Sequence, residues 1–175
     1  MALNIPLILH TVLEEYNLPL HGHHGVTHWA RVLENGLRLA QETEANCEVV
    51  TLFAVFHDSR RVNEGTDPEH GQRGADFAAE LRGNLFDLPE NNFQLLYHAC
   101  VGHTHERTHP DITIQTCWDS DRLDLGRVGI MPHSRYLCTE AAKAKKMIQW
   151  ADDRACLRFV PELVREDWGI ELPVS

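Results

Sequence analysis

The chain has 175 residues, with a hydrophobic fraction of 43% and a charged fraction of 24%, the balance of a globular protein large enough to bury a core. Its formal net charge of −10 excludes the dense basic face needed to track a nucleic-acid backbone, so no nucleic-acid polymer is expected as a partner. No apolar run reaches transmembrane length, and the cysteines at 47, 100, 117, 138 and 156 form no CxxC, which reads as reduced thiols in a cytoplasmic protein without a membrane partner.

Hydrophobic spacing is helical nearly throughout, and neither a repeat nor a long linker divides the chain, so a single all-α domain is expected. The weakly apolar start, Met1 to Thr11, lacks a basic leader and a small-residue cleavage site and reads as a first helix, with Ile5, Leu9, Val12 and Leu13 on one face. A turn rich in Gly, Pro and His spans Asn17 to Gly25, with His21, His23 and His24 expected to face solvent. A second helix is predicted over Val26–Glu42, and the almost wholly apolar Val49–Phe56 is predicted to be a central helix buried on most sides. Asp67-Pro68-Glu69 has the pattern of an N-cap followed by proline at the first helical position, predicting a helix to about Arg82. Leu88-Pro89-Glu90 opens another through about Cys100, and a polar loop carries His103, His105 and His109. Ile112 to about Leu125 is predicted helical despite its β-branched start, and one long helix is predicted from Thr139 to Phe159, ended by Pro161.

Twelve histidines are scattered among acidic residues, the pattern of a site assembled by folding rather than a metal-binding tract. The sharpest local feature is His57-Asp58 at the end of the most apolar helix. A carboxylate delivered to an interior needs a partner, either a cationic side chain or a metal ion. Arg60 and Arg61 follow immediately and are one such partner. His28 early in the second helix, His70 at the head of the fourth, and Asp119 within Trp118-Asp119-Ser120-Asp121-Arg122-Leu123-Asp124 add metal-competent side chains beside apolar residues.

In its order of a histidine, a His-Asp doublet and a distant aspartate, the chain resembles the HD-domain metal-dependent phosphohydrolases, over about residues 21–150. His28-x-x-Arg31-Val32 is similar to that family's first helix. Asp119-Ser120-Asp121-Arg122-Leu123-Asp124 with Gly129-Ile130 is similar to the Asp-x-Asp-Arg-Leu-Asp…Gly-Ile stretch of its small bacterial single-domain branch. The resemblance implies an HD-domain helical bundle whose central buried helix carries the doublet, with His28, His57, Asp58 and Asp119 as metal ligands.

Mixed imidazole and carboxylate ligands suit Mn, Fe, Co, Ni or Zn rather than Mg or Ca. One such ion is expected, with Asp58, beside His57, orienting or deprotonating the attacking water. A second ion is a further reading, since dinuclear relatives carry extra histidines where His70 and His98 or His103 lie; these could instead contact phosphate or pack in the core. Arg60 and Arg61 are candidate phosphate contacts. Arg122, among Asp119, Asp121 and Asp124, reads as a structural ion-pair partner, with Asp121 and Asp124 as pairing or supporting groups. Cys100 with His103 could suggest a zinc site, but paired thiols are lacking. Trp29, Trp118 and Trp150 read as core.

The function this implies is hydrolysis of a phosphate ester or anhydride of a small, nucleotide-like substrate, with homo-oligomerisation left open. Two alternatives remain: an HD-fold di-iron oxygenase, which needs the extra histidines as ligands, and a nucleotide-binding sensor without catalysis.

Overall fold

The computed structural model describes residues 3–172; Met1 and Ala2, which the sequence reading places at the head of the first helix, lie outside the described residues. Residues 3–172 form a helical bundle: α1 (Ile5–Glu14), α2 (Val26–Thr43), α3 (Cys47–Phe56), α4 (His70–Leu81), α5 (Glu90–Gly102), α6 (Ile112–Arg122), α7 (Glu140–Lys143), α8 (Lys145–Cys156) and α9 (Leu163–Glu166). Among the described residues there is no strand, only one isolated bridge between Arg82 and Phe86. No helix in that range is long and apolar enough to cross a membrane.

Side-chain caps account for several helix starts. Asn46 accepts from the N–H groups of Glu48 and Val49 at the head of α3, and Asp111 from those of Thr113 and Ile114 at the head of α6. Each satisfies donors that a helix terminus otherwise leaves unpaired. The Asp111 cap and burial of Ile114 against the core override the weak helix propensity of Ile112-Thr113-Ile114.

The apolar α3 is the centre of the bundle, packed by α2, α4, α5 and α6. Val49, Val50, Leu52, Phe53, Ala54, Val55 and Phe56 are all fully buried, with Trp29 of α2 and Trp118 of α6 beside them. Trp29 and Trp118 are thus core residues as expected, while Trp150 is half-buried against a smaller cluster around Leu39, Leu123 and Met147.

Three helix boundaries differ from the sequence expectation. α4 starts at His70 rather than beside Asp67, because the Asp67 carboxylate accepts from the Val62 N–H and pairs with Arg73 instead of capping. α6 ends at Arg122, and the chain tightens into a 3₁₀ turn over Leu125–Val128. The single long helix expected from Thr139 to Phe159 is two helices, α7 and α8, meeting at Ala144, whose ψ of 127° is not helical. No glycine or proline marks that break.

The ends of the core helices converge. His28 lies in the first turn of α2, His57 and Asp58 follow α3, His70 opens α4, His103 follows α5, and Asp121 and Asp124 lie at the end of α6. The bundle thus gathers polar side chains from five helices at one end of its apolar core.

Candidate metal centre

His28, His57, Asp58, His70 and His103 are all buried, so each must find partners within the protein. In all four histidines Nδ1 faces an acceptor that has no hydrogen to give. His28 Nδ1 donates to Asp124 Oδ2 at 2.7 Å, and His57 Nδ1 to the carbonyl of Phe53 at 3.0 Å. His70 Nδ1 donates to the carbonyl of Asp67, and His103 Nδ1 to that of Cys100 at 2.7 Å. Fixing the proton on Nδ1 leaves each Nε2 with a lone pair, the tautomer a metal-binding imidazole adopts.

Those lone pairs meet in two groups. His28 Nε2 and His57 Nε2 are 3.1 Å apart, and His70 Nε2 and His103 Nε2 are 2.9 Å apart. Two acceptor nitrogens at that separation repel unless a proton or a cation sits between them. Asp58 stands between the groups. Its Oδ2 lies 3.5 Å from His28 Nε2 and 3.7 Å from His57 Nε2, and its Oδ1 lies 3.1 Å from His70 Nε2 and 3.8 Å from His103 Nε2. Two sets of buried donor atoms therefore converge closely enough to hold an ion: His28, His57 and Asp58, and Asp58, His70 and His103.

Asp121 completes the first group. Its Oδ1 is 3.4 Å from His28 Nε2 and 3.8 Å from His57 Nε2, and this buried oxygen has no hydrogen-bond partner. Arg127 approaches Asp121 Oδ1 at 3.7 Å, and Arg61 approaches Asp58 Oδ1 at 3.5 Å. A buried carboxylate oxygen facing two imidazole Nε2 atoms fits either a proton on His28 or a cation of borderline softness.

The electrostatics agree with a centre that wants positive charge. Burial depresses both imidazoles, but at His28 the carboxylates of Asp121, Asp124 and Asp58 outweigh it and lift the pKa to about 9. At His57 burial dominates and holds the pKa down at about 3. Burial opposes ionisation of Asp58 and Asp121, yet the surrounding imidazoles, with Arg127 beside Asp121, keep both carboxyls well below the usual range. One proton thus sits on His28 where an ion would otherwise sit.

The residues singled out from sequence are sorted by this geometry. His28, His57 and Asp58 come together, and His70 and His103 join them through Asp58. Asp119, expected as the fourth ligand, does not. Its carboxylate accepts from the backbone N–H groups of Cys138 and Thr139 at 2.7 and 2.8 Å and from the Thr139 hydroxyl at 2.8 Å, tying the start of α7 to α6. Asp121, two residues on and a little over half a turn around α6, takes the place expected for Asp119. His98 is not part of the centre: its side chain is 43% exposed and sits 3.0 Å from Glu106. His103 is a buried residue at the end of α5 rather than a loop residue.

Arg60 points outward and pairs with Glu15. Arg61 lies inward, donating to the carbonyl of Gly65 and facing Asp58 and His70. Arg122, expected to pair with the neighbouring aspartates, donates instead to the carbonyls of Glu106, Arg107 and Tyr136. His24, expected in solvent, is mostly buried, and its Nδ1 donates to Asp58 Oδ2 at 2.7 Å. His24 carries no periodic signal, because it lies in the irregular turn before α2; only its spacing of four residues from His28 points to it. The Cys100–His103 pairing is absent as a site: Cys100 is buried in the core and burial pushes its thiol up.

Compared with models of known families, with curated proteins and with solved structures, the chain gives no match to any of them.

Proposed function

We propose that the chain is a metal-dependent phosphohydrolase of the HD type that cleaves a phosphate ester or anhydride of a small substrate by attack of activated water. The observation that carries this reading is the position of Asp58, whose two carboxylate oxygens face two separate histidine pairs. His28, His57, Asp58 and Asp121 would hold one divalent transition ion, and Asp58, His70 and His103 a second. Such ions supply a lowered pKa for water and polarisation of a phosphoryl oxygen.

The chain's own residues do the rest. Asp124 and the carbonyls of Phe53, Asp67 and Cys100 hold four imidazoles in one tautomer. Asp58, held by His24, is placed to orient the attacking water or to take its proton. Arg61 and Arg127 put guanidinium groups at the edge of the centre, where phosphoryl oxygens carry charge.

Reloading metal-depleted protein with Mn, Fe, Co, Ni or Zn and assaying phosphomonoesters, phosphodiesters and nucleotides tests the proposal. Release of phosphate or alcohol that requires metal and disappears in Asp58→Ala supports it. Metal uptake at these residues with no turnover of any phosphate ester or anhydride sinks it.

A second reading, a di-iron oxygenase, draws on the second group, Asp58, His70 and His103, which makes a dinuclear centre available. Oxygen consumption by the iron-loaded protein, with no phosphate release, would favour it.

A further inference from the structure

Next to the centre runs a cleft of about 310 Å³, bordered at one end by His103 and Asp121 and along its walls by Leu125, Ile130, Met131 and Leu137. Its inner end is built from two of the buried side chains that form the centre, and its rim is apolar and open. Ile130 is 54% exposed, Met131 65% and Tyr136 46%. Large apolar side chains grouped at the mouth of a polar centre mark a binding surface more often than chance exposure does.

The cleft offers almost nothing to a chain of phosphates. Arg122 borders it, but its guanidinium is committed to three backbone carbonyls, at 2.6, 2.9 and 3.1 Å. His133 at the rim, its Nδ1 accepting from the N–H of Arg135 at 3.2 Å, offers a single Nε2–H donor. Two other hollows hold several arginines: the groove beside Glu14 and Glu15 has Arg60 and Arg73 already paired with Glu15 and Asp67 and Arg61 turned to the Gly65 carbonyl, and the cavity lined by Arg31, Arg127 and Arg158 has only about 10 Å³. A polyphosphate would set its charges beside Leu125 and Ile130 and gain little from those walls.

We infer that the substrate is a phosphate ester whose organic part is uncharged and apolar, seated in this cleft against Ile130 and Met131 while the phosphate lies at the histidine–aspartate centre. The inference rests on the phosphate reading above and narrows it, away from nucleoside polyphosphates. The cleft has room for roughly ten water-sized atoms, taking about 30 Å³ for each, which fits a short alkyl or a single aryl group.

The test uses ligands that cannot be hydrolysed, so binding is read without turnover. Manganese-loaded protein is titrated by calorimetry with methylphosphonate and with hexylphosphonate. Each fully buried methylene is worth about fourfold in affinity; with the cleft half open, hexylphosphonate is expected to bind at least on the order of tenfold more tightly. The ratio is expected to fall toward one in Met131→Asp and in Ile130→Asp, both exposed positions where the fold tolerates a charge. Equal affinity of the two phosphonates overturns the inference and leaves the phosphate reading standing. A hexyl preference untouched by both substitutions also overturns it, since the apolar group then lies elsewhere. No binding of either phosphonate to protein with full metal content sinks the phosphate reading itself. If the chain length makes no difference and Ile130→Asp turns a dimer into a monomer by light scattering, the apolar rim is a contact between copies and the inference fails.

Discussion

The carboxylate of Asp124 lies 2.7 Å from Nδ1 of His28, joining two residues 96 positions apart, and both side chains are fully buried. Arg31 holds the same carboxylate through Nε at 2.7 Å and Nη2 at 3.0 Å. The aspartate is therefore itself oriented, and it passes that orientation to the imidazole. Asp124→Asn keeps the size but weakens the acceptor and leaves Arg31 without its counter-charge. Loss of a carboxylate behind a metal-binding histidine typically lowers metal affinity by 10–100-fold. Competition with a chelating dye is expected to show a drop of about that size. A melting temperature lowered in the absence of added metal would reflect the broken Arg31 pair, a separate and measurable effect.

Asp119 and Asp121 give opposite outcomes when altered. Asp121→Asn removes an anionic oxygen that faces His28 and His57, accepts no hydrogen bond and has Arg127 3.7 Å away, so metal at the first group is expected to be lost while the helical circular dichroism stays. Asp119→Ala removes an acceptor from the Cys138 and Thr139 N–H groups and from the Thr139 hydroxyl. That leaves buried donors unsatisfied, each costing about 1–3 kcal/mol, and is expected to lower the urea midpoint with metal content unchanged. Equal metal loss in both variants would contradict the assignment of Asp121.

This pair also shows how far the sequence could be read. The all-helical class, the central position of α3 and the buried doublet at its end were legible, because apolar periodicity and a polar doublet are local signals; that His28 joins His57 and Asp58 was implied only by the resemblance to the HD-domain pattern. The choice between Asp119 and Asp121 was not. Residues two apart on a helix differ by about 200° in direction, and only the packing of α6 against α2 and α3 decides which one faces the histidines. Spacing likewise left His98 and His103 equivalent, whereas the end of α5 turns His103 inward and His98 toward Glu106. His24 and the break between α7 and α8 belong to irregular backbone, where no periodicity exists to read.

The pKa of about 9 at His28, raised from an ordinary 6.5, makes metal uptake a proton-releasing step. In chelator-treated protein at neutral pH His28 carries a proton, whereas His57, held at about 3, is already neutral. Calorimetric titrations in buffers of different ionisation enthalpy are expected to report about one proton released per ion at the first group at pH 7, falling to about one half near pH 9. The stability contributed by the His28 proton follows the same sign. In the metal-free protein it is fully present below pH 6.5 and disappears as pH rises through about 9. Release that is independent of pH across this range would place the proton elsewhere.

The position of His70, and with it the second group, depends on how closely α4 approaches the end of α3. Gly74 permits that approach: a Cβ there would meet the carbonyl oxygen of Phe56 well inside van der Waals contact, and one at Gly71 would similarly meet the carbonyl of Cys100 and the ring of His103. The nearest of these neighbours, the Phe56 and Cys100 carbonyl oxygens, are backbone, so relief requires moving the helix rather than a side-chain rotation. Gly74→Ala gains about 1 kcal/mol of helix propensity but forces an overpacked contact that typically costs 1–3 kcal/mol, so the net effect on stability is expected to be modest. The effect on the centre is larger. Moving α4 outward carries His70 away from Asp58 Oδ1, now 3.1 Å away, while the His57 imidazole, although its backbone carbonyl borders Gly74, is held by its own Nδ1 on the Phe53 carbonyl of α3. Metal analysis after gel filtration is expected to fall from two ions per chain to one, with the first group intact. Retention of both ions in Gly74→Ala would mean that His70 is positioned by something other than the close contact of α4 with Phe56.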